Sequence, residues 1–201
     1  DGAIHIAHVS TVGSINFVRD AKKHGSKVTC ETAPHYLMLT HEKLLQKDAD
    51  FRMNPPLREQ SDVDAMVQAV IDGTVDCIVT DHAPHTKEEK ANFETAPNGV
   101  VGLETSFAGV ITALYKTGKI SLERVVELMS VNPRKILHLP VETIKVGADA
   151  NLMLADLNLD WVVEPEKLHS KSKNTVFKGM TLTGKPLMTI SNGKIAFSIL
   201  N

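Results

Sequence analysis

Short apolar runs alternate with amphipathic segments along the first part of the chain. Apolar and β-branched residues dominate positions 4–9, 27–32 and 75–80, a composition typical of buried strands. Helices are predicted over 12–24 and 61–72, because apolar residues recur at helical spacing and a glycine follows each segment. Strands that alternate with helices predict βα units on a parallel sheet.

The segments around these units carry weaker patterns. We predict a loop over 34–37, a short helix over 42–46 and a brief extended piece over 50–53. Two further helices are predicted over 106–115 and 122–129. This part of the chain therefore has the strand–loop–helix order of a barrel segment.

From about residue 141 the pattern changes to short strands separated by glycine or asparagine turns. The strands are predicted near 149–157, 175–179 and 187–195. We therefore divide the chain into a barrel part over 1–140 and a small β subdomain over 141–201.

Composition and charge exclude several classes of partner. The net charge is −2 and 42% of the residues are hydrophobic, so the chain can bury a sizeable core but has no basic stripe for nucleic acid. No run of about 18 apolar residues occurs, so no membrane span is predicted. Cys30 and Cys77 lie in strand-like runs, which favours buried free thiols and a cytoplasmic protein.

Candidate chemistry follows the predicted strands. Asp81 and His85 come directly after the third strand, and His8 ends the first. Side chains at the carboxyl ends of parallel strands meet at one edge of the sheet. Carboxylate and imidazole groups bind zinc, and a carboxylate beside the metal can take a proton from water. A lone aspartate after a strand is more often a turn former. Here His82 and His85 follow Asp81 within four positions, and His8 has the same place two strands earlier, so we favour a site.

The other histidines and polar residues have plainer interpretations. His5 and His8 are three residues apart, so strand alternation predicts that only one of them faces the site, and we choose His8. His35 is interpreted as a loop histidine that orders the rim. Asn54 precedes two prolines, which hold it on a rigid loop suited to a ligand or to a simple turn. Arg58 is expected to form a surface salt bridge.

Five motifs occur in the order found in dihydroorotases of the amidohydrolase superfamily. They are HIAHVST at 5–11, ETAPHYL at 31–37, MNPPLR at 53–58, TDHAPHT at 80–86 and GVVGLET at 99–105. The chain resembles the bacterial type I enzymes over nearly all of its length. The resemblance implies an α/β fold, namely the C-terminal part of a distorted (β/α)8 TIM-type barrel with a small flanking β-sandwich subdomain.

The resemblance also implies an activity. Such enzymes interconvert N-carbamoyl-L-aspartate and (S)-dihydroorotate in pyrimidine biosynthesis by zinc-dependent cyclic amide hydrolysis. They hold two zinc ions, act on small molecules, and are usually homodimers. Rival interpretations are a hydantoinase, dihydropyrimidinase or allantoinase relative, and a non-catalytic homologue or fragment.

Site residues carry over motif by motif. His8 and Asp81 resemble metal ligands, and Asp81 also resembles the residue that shuttles the proton of the nucleophile. His35 matches no ligand in that pattern.

Substrate contacts carry over in the same way. Asn54 and His85 resemble the side chains that hold the pyrimidine ring and its carboxylate, and Asn98 and Gly99 resemble the segment that meets the ring amides. A ring with a carboxylate needs such donors and a neutral ring does not, so Asn54 and His85 favour dihydroorotate.

The family's remaining metal ligands precede the matched motifs. They are a His-x-His pair, a bridging carboxylate or carbamylated lysine, and a histidine of an earlier strand. We therefore expect the chain to be a C-terminal half that is inactive by itself.

Overall fold

The structure is a computed structural model that describes residues 2–141 and 143–200. It contains one parallel and one antiparallel sheet. The parallel sheet has the order β1 (Ile4–Ile6), β2 (Val28–Thr32), β3 (Cys77–Ile78). The antiparallel sheet has the order β4 (Leu152–Val162), β5 (Thr181–Ser191), β6 (Lys194–Ser198).

Two long helices connect the parallel strands as predicted. They are α1 (Val12–Lys23) and α2 (Gln60–Ile71). The Thr11 hydroxyl caps α1 by accepting a hydrogen bond from the Ser14 backbone N–H, which stabilises the first turn. The apolar side of α1 packs into the core through Ile15 and Val18.

The parallel strands are shorter than the apolar runs predicted. β1 ends at Ile6, and the backbone at His8 is left-handed with a φ of 53°. β3 contains two residues, and Asp81 is left-handed with a φ of 49°. Regular pairing stops before these positions because a left-handed residue turns the chain out of the extended conformation.

Two predicted segments contain 3₁₀ turns. The loop predicted over 34–37 is a buried 3₁₀ turn, Pro34–Leu37. The predicted extended piece at 50–53 begins inside another 3₁₀ turn, Ala49–Phe51, because the Asp48 carboxylate accepts from the Asp50 backbone N–H and starts the turn.

The later helices are longer or less regular than predicted. The segment at 106–115 is α3 (Ser106–Val110) followed by a π-helical turn, Ile111–Tyr115. The segment that starts at Leu122 continues past 129 as α4 (Leu122–Val126), a π-helical turn (Glu127–Val131) and α5 (Asn132–Ile136). Pro133 is the second residue of α5, which follows the π-helical turn directly.

The antiparallel part agrees with the predicted change of pattern but not in every strand. The segment 175–179 is a turn that leads into β5, and Gly179 has a φ of 73°. Asn192 and Gly193, both left-handed, form a turn between β5 and β6 and so divide the strand predicted over 187–195. In this part the described residues form one sheet and not two packed sheets, so the β-sandwich stays a prediction. The domain boundary at 140/141 also stays a prediction.

The core consists of two apolar clusters. The first lies between the parallel sheet and the helices and includes Ile15, Met66, Ile78 and Leu128. The second, around Tyr36, joins the segment after β2 to β5 and to Phe177. Cys30 and Cys77 are free and buried, as predicted. Among the described residues, no helix has the length and apolar character needed to cross a membrane.

Candidate active site

His8 and Asp81 come together at the carboxyl ends of β1 and β3. The His8 Nε2 atom lies 3.3 Å from the Asp81 Oδ1 atom, so the two predicted metal ligands share one site. Both residues have a left-handed backbone. Such strain at non-glycine residues often occurs at functional positions.

His35 lies in the same cluster, contrary to the expectation of a rim histidine. Its side chain is 2% exposed and its Nε2 atom is 3.9 Å from Asp81 Oδ2. Within the described part of the chain this buried Nε2 atom has no hydrogen-bond partner. Burial lowers the pKa of His35 to about 3, with further lowering from His8. His35 is therefore a neutral imidazole whose free nitrogen is directed toward the Asp81 carboxylate.

Glu31 is a site residue that the sequence analysis did not single out. One carboxylate oxygen lies 2.9 Å from His5 Nε2 and the other 3.6 Å from His8 Nε2. Glu31 therefore contacts both histidines, and the choice of His8 over His5 as the metal ligand stays a prediction. Strand alternation does not extend to His8, because β1 has already ended and the left-handed turn reorients that side chain.

Electrostatics favour a protonated Asp81 more than usual. Burial raises the pKa of Asp81, the nearby His8 opposes this, and the Glu31 carboxylate raises the pKa further. A carboxyl group with a raised pKa accepts a proton more readily than a free aspartate does.

Three of the predicted substrate-binding residues, His85, Asn98 and Gly99, lie close together. Gly99 N–H donates to the carbonyl of Arg52, two residues before the exposed Asn54. His85 Nε2 is 3.0 Å from the Asn98 carbonyl oxygen, and His85 Nδ1 is 3.5 Å from the Glu89 carboxylate. Both ring nitrogens of His85 thus face protein groups. To donate a hydrogen bond to a substrate, the ring must first give up its contact with Asn98 or with Glu89.

Gly99 is needed where it stands. Its φ is 134°, and an added Cβ would lie 2.6 Å from Ala83 Cβ and 2.8 Å from the Ala83 carbonyl oxygen. The Asn174 side-chain amide donates to the Gly99 carbonyl at 3.1 Å. The segment therefore packs directly on the loop after Asp81.

Three further residues hold these loops and were missed or misjudged. The Arg58 Nε donates to the Ser10 hydroxyl at 3.4 Å, and among the described residues Arg58 does not form the expected surface salt bridge. The Tyr36 hydroxyl donates to the Pro55 carbonyl at 2.7 Å. The Lys90 ammonium donates to three backbone carbonyls. The acceptors are Ala49, Arg52 and Pro97. Nothing in the local sequence of Lys90 signals this contact, because two of the three acceptors lie on another loop, 41 and 38 residues away.

These strand ends, with their imidazole and carboxylate cluster, have the arrangement of a metal-dependent hydrolase, and the chain belongs to the amidohydrolase family, whose model matches residues 1–196. The dihydroorotase of Geobacter sp. (strain M21) is 48% identical over 96% of this chain and 46% of its own length. The dihydroorotase of Bacillus subtilis is 44% identical over 96% of this chain and 45% of its own length. The chain thus spans a little under half of these relatives.

Solved structures of related enzymes are also similar. The dihydropyrimidinase of Brevibacillus agri superposes with a TM-score of 0.91 at 28% identity, over 98% of this chain and 45% of that one. The L-hydantoinase of Arthrobacter aurescens has a TM-score of 0.86 at 31% identity, over 96% of this chain and 44% of that one.

Proposed function

We propose that the protein catalyses the reversible ring opening of (S)-dihydroorotate to N-carbamoyl-L-aspartate, a zinc-dependent cyclic amide hydrolysis of pyrimidine biosynthesis. The observation that carries the proposal is the cluster of His8, His35 and Asp81 at the strand ends. Dihydroorotase relatives at 44–48% identity support this substrate class.

The residues of the cluster fit a divalent metal. Two imidazoles and a carboxylate are suitable zinc ligands, and a metal would satisfy the buried His35 Nε2, which otherwise lacks a partner. We therefore propose His8, His35 and Asp81 as ligands, which adds His35 to the pair expected from the sequence. When bound, zinc would polarise the ring carbonyl and lower the pKa of water.

Asp81 is proposed as the acid–base catalyst. It would accept a proton from the attacking water as the new C–O bond forms, and return a proton to the ring nitrogen as the C–N bond breaks. Its position beside His8 and His35 supports this role, because a carboxylate next to a metal-activated water can take a proton and return it. The reverse sequence of transfers closes the ring.

Substrate recognition is proposed for the loops that meet at Gly99. The exposed Asn54 amide and the Asn98–Gly99 backbone can pair with the polar edge of a pyrimidine. The contact between His85 and the Asn98 carbonyl would shape this segment, and His85 would reach the substrate carboxylate after turning from Glu89. Arg58 supplies a positive charge nearby.

Several broader expectations belong to the same proposal. The β1–β3 sheet and its helices are consistent with part of a (β/α)8 barrel, with 141–201 as a flanking subdomain. The resemblance to dihydroorotases supports a homodimer, which sedimentation would test. The free thiols of Cys30 and Cys77 are the usual state in a reducing cytoplasm.

A dihydropyrimidinase or hydantoinase activity is the alternative, favoured by the similarity to those structures. Purified full-length protein should be assayed with dihydroorotate, dihydrouracil and hydantoin at matched metal content. A kcat/KM for dihydroorotate at least about 100-fold above the neutral rings is expected, because a site built for a charged group leaves polar atoms unpaired with a neutral ligand. Preference for dihydrouracil or hydantoin would establish the alternative, and turnover of none of the three would indicate a non-catalytic homologue.

A further inference from the structure

Three neighbouring strands bring His5, Glu31 and Cys77 together below the active-site cluster. Glu31 on β2 and Cys77 on β3 are paired in register, and His5 on β1 is paired with Thr29 on β2. One ligand atom from each of the three side chains lies within 4.8 Å of the others. The three strands thus form a compact set of nitrogen, oxygen and sulfur donors.

These donors suit a thiophilic divalent cation. Imidazole, carboxylate and thiolate all bind zinc, and a sulfur ligand also favours softer ions such as cadmium. Three protein ligands leave one position of a tetrahedral ion for water. The geometry is not explained by the proposed reaction, which uses neither His5 nor Cys77.

Thr29 prepares His5 for this role. Its hydroxyl oxygen lies 2.7 Å from His5 Nδ1, and a hydroxyl can either donate to that nitrogen or accept from it. When Nδ1–H donates to Thr29, the Nε2 atom carries a lone pair, and a metal ion bound there would be shared with the Glu31 carboxylate oxygen that lies 2.9 Å away. An outer hydrogen bond of this kind normally orients a metal-binding histidine.

We propose that His5, Glu31 and Cys77 form a second cation site for Zn²⁺ or Cd²⁺, one layer below His8 and Asp81. Binding forms a metal–sulfur bond and releases the Cys77 thiol proton to solvent. The two sites are linked through Glu31, whose other oxygen lies 3.6 Å from His8 Nε2.

The test is a Cd²⁺ titration of the full-length protein, whose active site has first been loaded with zinc. Binding is measured by the ultraviolet charge-transfer absorption of a cadmium–thiolate bond. Cys30 provides a matched control, because it is also buried and free, and its thiol contacts the Thr74 carbonyl. The band is expected in the wild type and in Cys30→Ser, and should be lost in Cys77→Ser. His5→Gln should weaken Cd²⁺ binding by at least about tenfold.

The readout does not depend on turnover, so it stands apart from the proposed function. A missing wild-type band, or a band that survives Cys77→Ser, would overturn the site. If Cys77→Ser does not fold, cadmium NMR of the wild type decides. A resonance shifted by a sulfur ligand supports the site, and a spectrum with only nitrogen and oxygen ligation overturns it.

Discussion

Individual side chains at the strand ends set the chemistry of the site. His8 and Asp81 leave their strands in a left-handed conformation, and this brings their polar atoms within 3.3 Å. Small polar changes here should therefore affect activity far more than folding.

Asp81→Asn should reduce turnover by at least about 100-fold, because the amide keeps the shape of the side chain but cannot take a proton. The thermal midpoint should stay close to that of the wild type. Steady-state ring opening and a thermal melt measure both effects. Asp20→Asn, at an exposed position of α1, is the control, and activity of Asp81→Asn within tenfold of the wild type would rule out the acid–base role.

His35→Ala should lower the bound zinc, as should His8→Ala, because each removes an imidazole from the Asp81 cluster. Loss of a ligand typically costs at least about tenfold in metal affinity. Metal analysis after dialysis against a weak chelator gives the result. His24→Ala, at the exposed C-terminus of α1, should keep full stoichiometry. If the zinc content of His35→Ala equals that of the wild type, His35 is not a ligand and has only the structural role expected from the sequence.

At the scale of elements, the residues proposed to bind substrate lie on loops, and Lys90 holds two of these loops together. Its ammonium group reaches the carbonyls of Ala49, Arg52 and Pro97 at 2.9–3.2 Å. Gly99 donates to the same Arg52 carbonyl. One cation therefore ties the loop after Asp81 to the loop that leads to Asn54.

Lys90→Met should destabilise the protein by about 2 kcal/mol, because three partly buried carbonyls lose a charged donor. KM for the substrate should rise more than kcat falls, since the loops bind the ring but do not carry the reacting groups. Denaturant unfolding and steady-state kinetics measure these effects. Lys87→Met, at an exposed position of the same loop, should match the wild type. An equal KM in both variants would show that Lys90 does not position the binding loop.

At the scale of the whole molecule, Glu104 joins the α/β part to the antiparallel part. Its carboxylate accepts from the backbone N–H groups of His169 and Ser170 at 2.8 and 3.0 Å, and lies 2.9 Å from His169 Nδ1. Burial alone would raise the pKa of Glu104, but these hydrogen bonds outweigh it and lower the pKa.

Glu104→Gln should reduce stability by about 1 kcal/mol at neutral pH. The lowered folded-state pKa means that the carboxylate contributes stability above the ordinary glutamate pKa, and that this contribution disappears as the pH falls through the folded-state value. The difference in thermal midpoint between wild type and variant should therefore shrink in acid. Glu42→Gln, at an exposed position, is the control. A difference that stays constant or grows in acid would contradict the assignment.

Residues 1–201 expressed alone should neither open dihydroorotate nor remain a stable monomer. Among the described residues, β1 pairs only with β2, and Ile4 is 60% exposed. An uncovered strand edge with apolar side chains favours association. Size-exclusion chromatography, a thermal melt with and without zinc, and the ring-opening assay test this. A cooperative monomer with measurable turnover would contradict both the expectation and the proposed metal site.

The sequence by itself determined the βα units, the helices α1 and α2 and the change to antiparallel strands. It also determined that His8 and Asp81 follow strands. These features follow from local periodicity and from the short range of turn signals. The tertiary structure alone decided that His35 is buried beside Asp81, that Glu31 contacts both His5 and His8, and that Lys90 joins two loops. Such contacts join residues far apart in the chain, and left-handed turns at His8 and Asp81 reorient side chains that strand alternation would have directed elsewhere.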